Sequence, residues 1–90
     1  MEISNFHSIQ EEKEFKDIKR ILPQVKLKAD YNREILDIGV EIPYGNQVFI
    51  LLKGEQTNHC YELITPDCRF YEGLQTLTEV LEKLQQEAKE

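Results

Sequence analysis

His59, Cys60 and Cys68 are the residues of this 90-residue chain best suited to chemistry, with His7 the one other histidine. Structural zinc needs four Cys or His ligands, commonly in closely spaced pairs. His7 lies far away in the N-terminal segment, and Cys-x7-Cys is neither a zinc nor a redox spacing. A two-residue turn at Pro66-Asp67 would set Cys68 opposite Thr65, five residues from Cys60. The thiols are then roughly 17 Å apart at about 3.3 Å per strand residue, beyond disulfide reach. Both read as small reduced thiols, partly buried. For Cys60 to act as a nucleophile it would need His59 as base, yet adjacent strand residues point to opposite faces. Ser8 reads as a helix cap.

The remaining chemistry-bearing types are scattered. Asp37, Glu41 and Glu62 fall on strand positions without a base, acid or metal partner, and read as solvent-facing carboxylates. The chain has no Gly-x-Ser-x-Gly elbow, no His-Glu-x-x-His and no glycine-rich phosphate loop. Of its four glycines only Gly39 sits inside a strand pattern, where a bulge or a close packing point is expected. No catalytic residue, metal or cofactor is implied, and the expectation is a protein without enzymatic activity.

Composition bounds the partners. The net charge is −6. From Met1 to Glu34 acids and bases balance, and from Ile35 onward acids outnumber bases, so the acidity belongs to the second half. A nucleic-acid binder needs a basic surface to displace counterions, and docking to anionic lipid needs the same. The last helix opens Gly73-Leu74-Gln75-Thr76 and continues into acids, unlike the basic helix start of a double-stranded-RNA reader. Neither nucleic acid nor membrane is therefore expected as a direct partner. The start Met1-Glu2-Ile3-Ser4 has no basic region followed by an apolar run, and two cysteines without such a leader suit a reducing cytoplasm.

The elements that carry these residues can be read from periodicity. Ser8 and Glu11 have the spacing of a capping box, so a helix should begin near Ile9. Phe15, Ile18, Ile21 and Leu22 form its apolar stripe, with Glu12–Lys16 and Lys13–Asp17 as outer pairs, and Pro23 ends it. Gln24–Ala29 alternates as a strand near an edge, its lysines discouraging stray pairing. Leu36, Ile38, Val40 and Ile42 alternate with Asp37, Gly39 and Glu41. Gln47–Lys53 holds the chain's one run of five apolar residues and reads as a central strand buried on both faces. Gly45-Asn46 suits a type II′ loop that sets Ile42 opposite Phe49 and Val40 opposite Leu51; a three-residue loop at Tyr44–Asn46 would exchange the two faces. His59–Thr65 is the next strand. Its return should set Leu63 opposite Phe70, with Tyr61, Leu63 and Phe70 in the core and Glu62, Arg69 and Tyr71 wetter. Leu74, Leu77, Leu81, Leu84 and Ala88 line a last helix that opens at Gly73 or at the Thr76/Glu79 capping box.

The order α-β-β-β-β-α with short loops predicts one domain, residues 1–90, in the α+β class. It is a two-layer sandwich with a four-stranded antiparallel sheet, five-stranded if Arg69–Tyr71 pairs, flanked by N- and C-terminal helices. If both helices cover one face, Val48, Ile50 and Leu52 lie on the other. Ile3 and Phe6 could cover them within the chain; otherwise they face a protein partner or a homodimer. The expected function is a small acidic protein-interaction domain of inhibitor, adaptor or phage/host antagonist type. One alternative is a ligand-binding domain or enzyme with a sheet–helix pocket whose mouth carries Tyr61, Tyr71, His59 and Cys60. The other is an acidic nucleic-acid mimic using Glu79, Glu82 and Glu87.

Overall fold

The computed structural model describes Phe6 and residues 8–28 and 30–88. Helix α1 spans Ile9–Ile21. Ser8 caps it in extended conformation, its hydroxyl accepting the Glu11 N–H at 3.0 Å, which satisfies one of the first-turn donors. The helix stops where Pro23 follows, and the Leu22 N–H donates to the Ile18 carbonyl at 2.8 Å. Ile18 and Leu22 are buried as expected, and Phe15 packs against the core. Ile21 does not join them and is 42% exposed. The inner side of the helix also carries two buried carboxylates, Glu11 and Glu14, in its first two turns. Glu12 and Lys16 pair at 2.9 Å; Asp17 takes Arg20 at 3.7 Å instead of the expected Lys13.

Five strands follow: β1 (Lys26–Leu27), β2 (Leu36–Tyr44), β3 (Gln47–Gly54), β4 (Tyr61–Ile64) and β5 (Phe70–Leu74). They pair in chain order, each antiparallel to the next. β1 is shorter than the expected Gln24–Ala29, of which Ala29 lies outside the described residues. The β2–β3 register is the preferred one, with Ile42 opposite Phe49 and Val40 opposite Leu51. It is set by a two-residue loop in which Gly45 takes φ 65° and Asn46 has no positive φ, as a type II′ turn requires. The turn of 3-10 helix at Glu55–Thr57 then leads into β4.

The β4–β5 hairpin departs from expectation by one residue. Leu63 faces Tyr71 and Ile64 faces Phe70. The loop has three residues, because Thr65 pairs with Arg69 at 2.9 Å and Cys68 adopts φ 66°. A left-handed residue at that point adds one position to the strand, and one position inverts every side chain after it. Tyr71 therefore packs on the core, and Phe70 points out and is 58% exposed. Gly73 lies within β5, at φ 75°, and not in a helix. Helix α2 spans Leu77–Ala88 and begins at the Thr76 capping box, where Thr76 Oγ1 accepts the Glu79 N–H and Glu79 Oε2 accepts the Thr76 N–H.

One core results. Ile38, Val40, Ile42, Phe49, Leu51, Tyr61 and Leu63 all belong to one face of the sheet, and they meet Ile18 and Leu22 of α1 and Val80 and Leu84 of α2 in a single buried cluster. Both helices thus cover the same face, and the domain is a two-layer α+β sandwich. Gly39 is the close packing point: an added Cβ would stand 2.8 Å from Tyr31 Cγ. The bulge lies beside it, between Leu36 and Ile38.

Candidate functional site

The strand alternation that builds the core also defines the opposite face. Across the sheet, Cα partners run Lys26–Glu41–Ile50–Ile64–Phe70. The flanking pairs Pro43–Val48 and Leu52–Glu62 lie on the same face. Val48, Ile50, Leu52, Ile64 and Phe70 therefore form one apolar strip on the side away from the helices. Val48 is 49% exposed; Ile50, Leu52 and Ile64 are half-buried by one another and by their neighbours. Within the apolar run of the central strand, Phe49 and Leu51 are buried and Val48, Ile50 and Leu52 are not, so it is buried on one face and not on both. Phe6 does not cover the strip: its ring lies 5.4 Å from that of Phe15, on α1. Ile3 lies outside the described residues. Tyr31 takes the side-chain position that Gly39 leaves empty opposite Leu52, which bounds the strip at that corner.

The three positions expected from the sequence, Val48, Ile50 and Leu52, are brought together on this face. Ile64 and Phe70 join them; the three-residue β4–β5 loop turns Phe70 out of the core position expected for it.

Carboxylates border the strip. Glu41 is the cross-strand partner of Ile50, Glu62 of Leu52, and Glu72 follows on the outward positions of β5. Burial holds the Glu62 carboxyl above its ordinary pKa, with a further contribution from the like charge of Glu72. Glu62 and Glu72 also share a recess of about 380 Å³ with Gln56, Thr57 and Cys60. Among the described residues, Glu41, Glu62 and Glu72 make no ion pair.

On the helix side the α1 acids are engaged. Glu11 is 1% exposed and accepts the Tyr31 hydroxyl and, at 2.8 Å, Arg33 Nε. Glu14 takes Lys53 at 3.4 Å, and Lys53 in turn lies 4.8 Å from the Tyr61 ring centre. Tyr61 is buried beneath, and burial, with Glu14 and Asp17 adding to it, pushes its phenol up to about 12. These contacts fix α1 on the sheet, because a buried carboxylate must be paired.

A second recess, of about 620 Å³, opens near the β4–β5 turn, where Arg69 is held by Asp67 at 3.0 Å and by Glu87 at 2.5 Å. Tyr71 donates to Glu87 at 2.6 Å, which with Arg69 keeps that carboxyl below its ordinary range. The groups satisfy one another. Glu87 and the cap residue Glu79 are thus both engaged within the fold. The pocket expected to carry Tyr61, Tyr71, His59 and Cys60 at its mouth does not gather them: Tyr61 is in the core and Tyr71 packs against it. His59 is exposed at φ 61° outside the strand, and Cys60 lines the smaller recess.

Among the described residues no group of three or more His, Cys, Asp or Glu could hold a metal ion, and no helix is long and apolar enough to cross a membrane. No family model matches the chain, and no curated protein or solved structure is significantly similar to it.

Proposed function

We propose that this domain works without catalysis, by binding another protein through the open face of its sheet. The observation that carries the reading is the strip of Val48, Ile50, Leu52, Ile64 and Phe70, left uncovered while both helices pack on the other side. A contiguous apolar strip with a polar border is the usual form of an interaction surface. The acids around it favour the approach of a basic partner and disfavour an acidic one. A small cytoplasmic inhibitor, adaptor or antagonist fits this description, and the two free thiols suit a reducing compartment.

The test uses the tagged wild-type domain, Ile50→Asp and the helix-face control Lys13→Ala as baits. The expected result is a protein retained by wild type and Lys13→Ala and lost by Ile50→Asp, with circular dichroism unchanged in all three. Retention of the same protein by a folded Ile50→Asp variant would overturn the reading.

A further inference from the structure

We propose that the partner segment is a cationic amphipathic helix, and that the Glu62–Glu72 recess receives one of its Lys or Arg side chains. This rests on the open face being the binding surface.

The distribution of charge points to it. On the helix side each α1 acid has a cation: Glu11 has Arg33, Glu12 has Lys16, Glu14 has Lys53 and Asp17 has Arg20. On the open face, Glu41, Glu62 and Glu72 have no ion pair among the described residues. Lys26 stands across the ladder from Glu41 without reaching it as an ion pair, and it is the lone cation in that row of partners. Glu62 and Glu72 line the same recess, where burial first and the charge of Glu72 second raise the proton affinity of Glu62. A guanidinium or ammonium placed between them would relieve that repulsion, and Gln56 in the same wall offers a further acceptor.

Shape argues for a helix. Val48, Ile50 and Leu52 alternate along β3, so their row is roughly 13 Å long at about 3.4 Å per residue. That matches about nine residues of helix at 1.5 Å each. The sheet edges suit an added strand poorly. β1 has two residues, and β5 is broken in register by the irregularity between Tyr61 and Leu63 and turned by Gly73 at φ 75°. A second copy is disfavoured as occupant, because two such faces in contact would bring Glu41, Glu62 and Glu72 of each copy against the other's.

The experiment titrates the domain with a fluorescent Leu/Lys peptide of about 14 residues, patterned as an amphipathic helix. A permuted peptide of the same composition is the control. Affinity is read by anisotropy and location by amide shifts. The expected result is at least about tenfold tighter binding of the patterned peptide, with shifts on the outward residues of β3, β4 and β5. Glu62→Lys/Glu72→Lys should weaken binding about tenfold, since each reversal both removes an attraction and adds a repulsion. Glu82→Lys, on α2, should leave it unchanged. Equal binding of the two peptides, shifts on the helices, or indifference to the double reversal would each overturn the assignment. So would a dimer in light scattering that Ile50→Asp dissolves, which would identify a second copy as the occupant. If the peptide fails while Ile50→Asp still loses the protein held by wild type, the cationic helix is wrong and the binding face stands. If folded Ile50→Asp retains that protein, both readings fall.

Discussion

Ile50 and Leu51 are neighbours in β3, and Asp substituted at each should give opposite results. Leu51 is fully buried between Val40 and Leu63, its partners on β2 and β4. Truncating such a leucine costs about 2–5 kcal/mol, and an unpaired buried carboxylate adds to that. A 90-residue domain has about 5–13 kcal/mol in total. Leu51→Asp should therefore bring the fold to the edge of its stability or past it. Ile50 lies on the open face between Glu41 and Ile64. Losing the Ile50–Ile64 pair costs roughly 0.2–1 kcal/mol, the poor strand propensity of Asp up to about 1, and the like charge opposite Glu41 a few tenths. The sum is about 1–2 kcal/mol, or a fall in Tm of roughly 5–15 °C for a domain of this size. Urea titration followed by circular dichroism measures both. A cooperative transition retained in Ile50→Asp and lost or nearly lost in Leu51→Asp is the expected pair. Equal destabilisation by the two would mean that the strip is covered within the chain, and the binding-face argument would be refuted.

Gly54→Ala should be among the most damaging small substitutions. Its Cβ would stand 2.5 Å from Leu36 Cα, 2.6 Å from the Asp37 nitrogen and 2.8 Å from the Ile35 oxygen, all backbone atoms that cannot rotate away. A loss of about 3 kcal/mol in urea melts is expected, and a loss below about 1 would show that the bulged end of β2 yields freely. Cys68→Gly should stabilise the domain by about 0.5 kcal/mol, because Cys68 sits at φ 66°, where a side chain is strained. A lower Tm in that variant would contradict the loop geometry. Tyr61 gives an alkaline limit. Its folded pKa is raised from 10 to about 12, so its contribution is complete below pH 10 and is lost as pH climbs through 12. Discounted for partial solvation, the loss by pH 11 is about 1 kcal/mol. Tyr61→Phe should lose correspondingly less stability between pH 8 and 11, and an identical loss in both proteins would remove Tyr61 as the cause.

The parts of the fold legible in the sequence are those fixed by local chemistry. Gly45-Asn46 suits a two-residue loop, and the length of that loop fixes which side of β2 and β3 is buried. Ser8 and Thr76 cap their helices with nearby backbone donors. What was not legible depends on distant partners. Glu11 and Glu14 are buried on the inner side of α1, but their cations and hydrogen-bond donors come from Tyr31, Arg33 and Lys53, and nothing in the local spacing announces them. The β4–β5 slip has a nearer cause. Pro66-Asp67 suggests a turn, but its length depends on Cys68 taking a left-handed conformation that cysteine rarely adopts; a glycine there would have revealed the third loop residue. The error fell on the candidate site itself. It placed Phe70, now the largest exposed side chain of the strip, in the core, and left Val48, Ile50 and Leu52 as a single row on one strand. With the register corrected, the row becomes a surface three strands wide. That width is what the proposed helix would rest on, and the carboxylate border is what would favour a basic one.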